Sequence, residues 1–228
     1  MTVRQEVAAP SAEIRARQSR GISNRPILEM VVRALQRRQI SGSCIADVGC
    51  GRGDLFGYMR PRFERYVGID VVRYEGYPDA AEFCTLDLDS GNLPLADGSV
   101  DVVAAVEVIE HLENPREFLR KLARLVRPGG WVVVTTPNQL SWLSLLTLVV
   151  KHRFQAFQDI HYPTHLTALL EVDLRRAAAQ AGLTKIAIEY SQSGRIPFTA
   201  RHYPKILSQC FPRRFSENVL VIGQKSSN

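Results

Sequence analysis

A short apolar run that breaks into a glycine-rich turn constrains this sequence more than any other stretch. In residues 44–54, Gly49, Gly51 and Gly53 stand at alternate positions directly behind the run. An apolar run followed at once by glycines indicates a buried strand that ends in a tight turn before a helix. Glycine lacks a Cβ atom and tolerates a positive φ, so a ligand can approach the backbone there. The stretch therefore predicts a strand, a ligand-binding turn and a helix, in that order.

The dinucleotide-binding fingerprint G-x-G-x-x-G also lies between a strand and a helix. Here Gly53 comes one residue too early for that fingerprint, and Asp54 follows it. A carboxylate at the start of a helix suits the helix dipole but would repel a pyrophosphate bound at the same place. We therefore expect a ligand that has no phosphate at this position.

A second predicted strand, residues 66–70, ends in an acid. Asp70 follows Gly53 by 17 residues, where a β-α-β unit returns its second strand beside the first. A carboxylate at that point can accept hydrogen bonds from both hydroxyls of a ribose. The spacing indicates a nucleoside ligand, although dehydrogenases share this feature.

With Asp47 just upstream, the glycine turn resembles the first motif of class I S-adenosylmethionine-dependent methyltransferases, E/D-x-G-x-G-x-G. Further stretches resemble the same family in the same order, up to the fifth predicted strand. They are Asp70, the acids after the third strand at 87–89, the segment 93–101, the Glu-His-Leu at 110–112 and the Pro-Gly-Gly at 128–130.

The resemblance implies an α/β fold with a Rossmann-like, seven-stranded, mainly parallel sheet, helices on both faces and an antiparallel last strand. It implies S-adenosyl-L-methionine as cofactor and S-adenosyl-L-homocysteine as product. The cofactor-binding residues that it implies are Asp47, Gly49, Cys50, Gly51, Gly53, Asp70, Val71, Asp87, Leu88 and Val106.

The length of 228 residues is that of one ordinary domain. We expect a single methyltransferase domain over 1–228, with an N-terminal helical cap at 1–40, the Rossmann-like core at 41–190, and an insertion and last strand at 191–228. Residues 1–11 are expected to be disordered. Residues 140–150 predict a helix that is apolar nearly all round, which favours a buried packing helix over a substrate lid or a helix in a membrane interface.

The charge balance is basic, with 29 Lys and Arg against 23 Asp and Glu. This favours acidic partners such as phosphates, nucleic acid or anionic lipid, although a solvated basic surface explains it more simply. No apolar segment suggests a signal peptide or a spanning helix, so a cytoplasmic protein is expected, with peripheral membrane contact as an alternative. The four cysteines form no C-x-x-C pair and are expected to be reduced. The oligomeric state is not indicated.

Two histidines are the candidate catalytic residues. His111 follows the fourth strand, faces the expected cleft and has a side chain suited to proton transfer near neutral pH. His165 lies in a second histidine-containing segment, 161–165. Alternatively, Glu110 and His111 only cap and pack the turn.

A metal site is a further hypothesis. Glu107, Glu110 and His111 are three and four residues apart and would share one side of a helical turn. With His165 they would offer two oxygen and two nitrogen ligands to a divalent ion. The pattern is similar to that of small-RNA 3′-terminal 2′-O-methyltransferases and of metal-assisted quinone-pathway O-methyltransferases, in which a metal would lower the pKa of the acceptor hydroxyl.

These features together favour O-methylation of a small molecule, a sugar or a lipid-linked precursor. No Asn/Asp-Pro-Pro-Tyr/Phe motif follows the fourth strand, which argues against methylation of nucleobase amino groups. An RNA 2′-O-methyltransferase with a metal at Glu107, Glu110 and His111 and a noncatalytic S-adenosylmethionine-binding module remain alternatives. A nicotinamide oxidoreductase is disfavoured by the glycine spacing and by Asp87.

Overall fold

The computed structural model describes residues 12–89, 91–197 and 199–227, so the expectation of disorder at 1–11 lies outside the described residues. Over the described residues the chain forms a seven-stranded sheet in the order β3-β2-β1-β4-β5-β7-β6. Its strands are β1 Gly42–Val48, β2 Phe63–Asp70, β3 Glu82–Thr85, β4 Val100–Val106, β5 Val126–Pro137, β6 Leu183–Tyr190 and β7 Asn218–Lys225. The first five strands are parallel, and β7 runs antiparallel between β5 and β6. The predicted fold class is confirmed.

Helices cover both faces of the sheet. They are α1 Ala12–Ser19, α2 Arg25–Arg37, α3 Phe56–Met59, α4 Pro115–Leu125, α5 Trp142–Lys151, α6 Glu171–Gln180, α7 Lys205–Cys210 and α8 Pro212–Phe215. One apolar core joins the sheet to α4 and α6, and a second core on the other face joins it to α2 and α3. Short 3-10 turns at Ile109–His111, Gln155–Phe157 and Asp159–His161 follow β4 and α5.

The central strands are buried because their sequences are continuously apolar. Ile45 and Ala46 of β1 and Val103 and Ala104 of β4 have no exposed surface, as expected for parallel strands covered on both faces. Such strands end together at one edge, where α/β sheets bind ligands. The fold therefore brings the ends of β1, β2 and β4 to one edge.

The helix predicted after the glycine turn is present but short. α3 is one turn long and begins at Phe56, and the Asp54 carboxylate accepts the Ser23 N–H at 3.0 Å. The Asp54 carboxylate thus pairs with the N-terminal segment before the helix begins, and the expectation of an anion on the helix dipole is wrong.

The prediction that residues 140–150 form a buried packing helix is also wrong. α5 buries Ser144 and Thr147, which are 2% and 8% exposed, whereas Val149 and Val150 are 74% and 62% exposed. The helix packs on its few polar residues and leaves apolar ones at the surface. Across the described residues, no helix has the length and apolar character needed to cross a bilayer.

Candidate active site

A cleft of about 550 Å³ opens where β1, β2 and β4 end. The glycine turn forms part of its wall, with Asp70 from β2 and Val106 from β4 beside it. This volume lies within the usual range for small-molecule sites, about 300 to 1,000 Å³. The cleft is therefore large enough for a nucleoside and a small acceptor.

The glycine turn has a backbone shape that other residues would disturb. Gly49 and Gly51 have φ angles of +75° and +53°, in the left-handed region that glycine tolerates best. A Cβ atom on Gly51 would lie 2.3 Å from the Gly21 carbonyl oxygen, and one on Gly49 would lie 2.3 Å from Val108 Cγ2. The turn fits closely between the segment before α2 and the segment after β4.

Asp70 is held against the glycine turn by backbone hydrogen bonds. Its Oδ2 accepts the Gly51 N–H at 2.8 Å, and its Oδ1 accepts the Val72 N–H at 3.2 Å. Burial raises the pKa of this carboxyl above its ordinary value, and the backbone N–H groups oppose that rise. The carboxylate is thereby fixed at the end of β2, where a ribose is expected.

Most of the predicted cofactor-binding residues line the cleft. Asp87 and Leu88, from the segment after β3, are joined there by Gly49, Cys50, Gly51, Asp70, Val71 and Val106. The structure thus brings together residues that lie up to 57 positions apart in the sequence, from Gly49 to Val106.

Asp47 and Gly53 are not among the residues that line the cleft, so the structure does not support a direct contact between either of them and the cofactor. Asp47 is buried beneath the turn, where its carboxylate accepts the Tyr66 hydroxyl, and burial raises its pKa to about 7. Gly53 lies against Tyr77 and Pro78. Both residues support the turn from behind.

α1, which lies within the expected N-terminal cap, forms one side of the cleft. The Tyr74 hydroxyl donates to the Ala16 carbonyl at 2.6 Å, and Arg15 pairs with Asp89. On the other side, the Thr164 hydroxyl donates to Gln18 Oε1 at 3.3 Å. α1 has no buried residue, so its sequence contains no apolar stripe that would have placed it there.

His111 and His165 lie together in the cleft, with ring centroids 4.7 Å apart. His111 Nδ1 is 2.7 Å from the Thr164 carbonyl oxygen, and His165 Nδ1 is 2.6 Å from that of Ala156. A carbonyl can only accept, so each Nδ1 carries a proton and each neutral ring has its lone pair on Nε2. Burial lowers the pKa of His111 and lowers that of His165 to about 4, so both rings are neutral at pH 7.

Glu110 completes this cluster. Its Oε2 accepts the Thr136 hydroxyl at 3.0 Å, whereas its buried Oε1 has no hydrogen-bond partner among the described residues. Oε1 lies 4.0 Å from His111 Nε2, and burial raises the pKa of Glu110 to about 7. Glu110, His111 and His165 each offer one ligand atom within 4.8 Å of the others.

Glu107 does not belong to the cluster, contrary to the predicted four-ligand set. Its Oε1 accepts the Thr135 hydroxyl at 2.8 Å, and its Oε2 accepts the Asn218 amide at 2.7 Å. The prediction assumed a regular helical turn, but Glu107 has a φ of +55° and precedes a 3-10 turn. That backbone directs Glu107 towards β5 and β7.

The fold and the cleft together define the class of protein. A parallel sheet with β7 antiparallel between β5 and β6, and a glycine turn and second-strand acid in one cleft, form a class I methyltransferase architecture. The comparisons with known proteins agree. The profile of the methyltransferase domain family matches residues 18–188, and this chain therefore belongs to that family of class I S-adenosylmethionine-dependent methyltransferases.

Individual relatives share about a third or less of their aligned residues with this chain. A probable S-adenosylmethionine-dependent methyltransferase of Mycolicibacterium smegmatis is 34% identical over 117 residues, which cover 50% of this chain and 45% of the relative. A ubiquinone biosynthesis O-methyltransferase of Thiobacillus denitrificans is 30% identical over 156 residues, covering 64% and 67%. A crystal structure of a SAM-dependent methyltransferase from Archaeoglobus fulgidus superimposes with a TM-score of 0.62 at 18% identity, over 87% of this chain and 94% of that one. The chain spans about half the length of the first curated relatives it matches.

Proposed function

We propose that this chain transfers the methyl group of S-adenosylmethionine to an oxygen atom of a small molecule, a sugar or a lipid-linked precursor. The observation that carries the proposal is the cluster of Glu110, His111 and His165 in the same cleft as the glycine turn. Neutral imidazoles beside a carboxyl group suit the removal of a hydroxyl proton. The ubiquinone biosynthesis O-methyltransferases among the relatives support oxygen as the acceptor atom.

The cofactor end of the cleft positions the donor. S-adenosylmethionine supplies an activated methyl group on its sulfonium. The protein therefore needs only to bind the donor and the acceptor, to orient them and to exclude water. Asp70 would accept the ribose hydroxyls, and the glycine turn would admit the cofactor close to its backbone. Asp87 and Leu88 would hold the adenine, the acid at its amino group and the leucine against the ring.

The histidine pair would handle the acceptor proton. His111 Nε2 carries a lone pair, and the Nδ1 hydrogen bond to the Thr164 carbonyl holds the ring in that tautomer. Burial keeps the ring unprotonated at neutral pH, so His111 is ready to accept the proton of a bound hydroxyl. His165 lies against it and completes the wall.

The same three groups fit a divalent metal ion. Glu110 Oε1 is buried and has no hydrogen-bond partner within the described part of the chain. Both imidazoles carry their Nε2 lone pairs while Nδ1 donates to a backbone carbonyl. Backbone carbonyls commonly orient metal-binding histidines in this way, and two histidines with one carboxylate suit zinc or iron(II). When bound, such an ion would lower the pKa of an acceptor hydroxyl.

The experiment is methyl transfer from radiolabelled S-adenosylmethionine to catechols, sugars and host extract, with and without a chelator. We expect label in a product that resists base, as an ether does. A metal held by His111 Nε2 would occupy the lone pair that otherwise accepts the proton, so loss of product with the chelator would assign the deprotonation to the metal. Glu110→Gln and His165→Asn should lose Zn²⁺ binding by calorimetry, whereas His202→Asn, an exposed histidine, should retain it. Transfer that survives the chelator would leave His111 as the base without a metal. S-adenosylhomocysteine binding without any methylated product would indicate a noncatalytic module.

A further inference from the structure

Helix α5 presents an apolar stripe to solvent. Trp142, Leu146, Val149 and Val150 are exposed and recur at intervals of four, three and one, which places them on one side of a helix. The buried side carries Ser144 and Thr147. The usual arrangement of a surface helix, apolar inside and polar outside, is reversed.

Hydrogen bonds fix α5 in this orientation. Ser144 Oγ accepts the Gln155 N–H at 3.2 Å. The Thr147 hydroxyl lies 2.7 Å from the Leu143 carbonyl and 3.1 Å from Gln155 Oε1. A rotation that buried the apolar stripe would break the two bonds to Gln155 and expose Ser144 and Thr147. The outward apolar stripe is therefore built into the packing of the helix.

The insertion between β6 and β7 extends this surface. α7 exposes Ile206 and Leu207, and Phe211 follows it. The Arg214 guanidinium lies 5.8 Å from the centre of the Trp142 ring and donates to the Leu140 carbonyl at 3.0 Å. A hollow of about 360 Å³ lies between α5 and the first part of the insertion. Its lining includes Leu146 and Val150 from α5 and Ile196 and Pro197 from the insertion. We call residues 138–158, which include α5, together with residues 193–215 the apolar–basic face.

The charge of this face has one sign. Residues 138–158 and 193–215 contain seven Lys and Arg residues and no Asp or Glu. Three of the seven pair with acids from outside these segments, namely Asp159, Glu171 and Glu217. Lys151, Arg201, Lys205 and Arg214 form no salt bridge among the described residues. Lys151, Arg201 and Lys205 are exposed, so the face offers exposed cations together with exposed apolar side chains.

We propose that the apolar–basic face docks on the surface of an anionic lipid bilayer. A ten-residue helix is too short to span a bilayer, but one with an apolar side flanked by Lys and Arg can lie in the interface. Trp142 and the cations have the amphipathic character that suits the headgroup level. A second copy of the chain is disfavoured as the occupant, since a two-fold contact would press basic surface against basic surface.

This docking goes beyond the proposed methyl transfer and holds whatever the acceptor is. α5 leads through residues 152–158 to Ile160 and Tyr162, which are exposed at the cleft. A bilayer bound at α5 would thus contact the same continuous segment that carries His165. Acceptors dissolved in or attached to the membrane would be close to the cleft.

The test is co-sedimentation of the full chain with lipid vesicles. We expect binding to vesicles that contain phosphatidylglycerol, weak binding to vesicles of phosphatidylcholine alone, and weaker binding as salt is raised. The double variant Val149→Asp/Val150→Asp should bind anionic vesicles roughly tenfold less or weaker still, because it removes apolar area and adds repulsion. Val172→Asp, at an exposed valine on α6, is the matched control and should bind like the unmodified chain.

Three results would overturn the proposal. The unmodified chain could stay in the supernatant with phosphatidylglycerol vesicles, or the double variant could bind these vesicles as well as the unmodified chain does. The third result is a dimer in light scattering that the double variant converts to a monomer, since a second copy would then cover the face. A circular dichroism melt of both variants checks that they fold, because Val149 and Val150 are exposed and their replacement should leave the melt unchanged.

Discussion

Gly51 is the residue at which three parts of the cleft meet. Its N–H donates to Asp70, its φ is positive, and its Cα lies against Gly21. The neighbouring Arg52 N–H donates to the Gly21 carbonyl at 2.9 Å. Any side chain here would separate the cleft wall from the segment before α2.

We therefore predict that Gly51→Ala weakens S-adenosylhomocysteine binding by at least roughly tenfold, because the new Cβ would displace Gly21 and strain the positive φ. Isothermal calorimetry measures this directly. Gly76→Ala is the matched control, since Gly76 has a φ of +81° but nothing within 4 Å of a Cβ. Equal affinity in the two variants would show that the close approach at Gly51 is not needed.

Asp47 should make the stability of the fold depend on pH. Burial raises its pKa to about 7, whereas an unfolded chain has a value of about 3.9. Between these values the folded state binds a proton that the unfolded state has released, so stability falls as pH rises through that window. The Asp47→Asn variant should lack this decrease in the free energy of unfolding, which amounts to at most about 1.4 kcal/mol per pH unit in the unmodified chain.

Chemical denaturation at several pH values between about 4 and 7 measures the effect of Asp47→Asn. Glu107 and Glu110 have raised pKa values as well, so the informative quantity is the difference between variant and unmodified chain. A difference that is constant with pH would mean that Asp47 is ionised in the folded protein.

At the scale of elements, the orientation of α5 determines which of its side chains are exposed to solvent. Thr147→Val should destabilise the chain by about 0.5 to 1.5 kcal/mol, because the near-isosteric change removes the hydroxyl that donates to the half-buried Gln155 side chain. Val149→Thr reverses the same change at an exposed site of the same helix and should alter stability by less than about 0.5 kcal/mol. Thermal or urea unfolding compares the two, and a larger loss for Val149→Thr would contradict the described orientation of α5.

Elements were predictable where one face or both faces are continuously apolar. The strands β1, β2, β4 and β5 and the helices α2 and α4 follow from such patterns. The orientation of α5 did not, because Ser144 and Thr147 are small polar residues in an apolar run, and their partner Gln155 becomes visible only in the folded chain. α3 ended early because the chain turns into β2 at Phe63.

At the scale of the whole molecule, the two ends of the cleft differ in how far the sequence could predict them. The cofactor end comes from the carboxyl ends of successive strands, so Asp70 and the glycine turn were found by their spacing, and Asp87 was found by the resemblance to class I methyltransferases. The acceptor end combines the turn after β4 with α1 and with residues 160–165, which no local pattern connects. His111 and His165 were chosen by side-chain chemistry, and the structure places them in contact, whereas Glu107 was misplaced because its φ is positive.

The measurement that most directly tests the central claim is a calorimetric titration of the full chain with S-adenosylhomocysteine and, in parallel, with NADH. The cleft described here has an acid at the end of β2 and an acid after β3, and the chain belongs to the methyltransferase domain family. We predict saturable binding of S-adenosylhomocysteine and no binding of NADH. Binding of NADH with no heat from S-adenosylhomocysteine would contradict the assignment of this cleft.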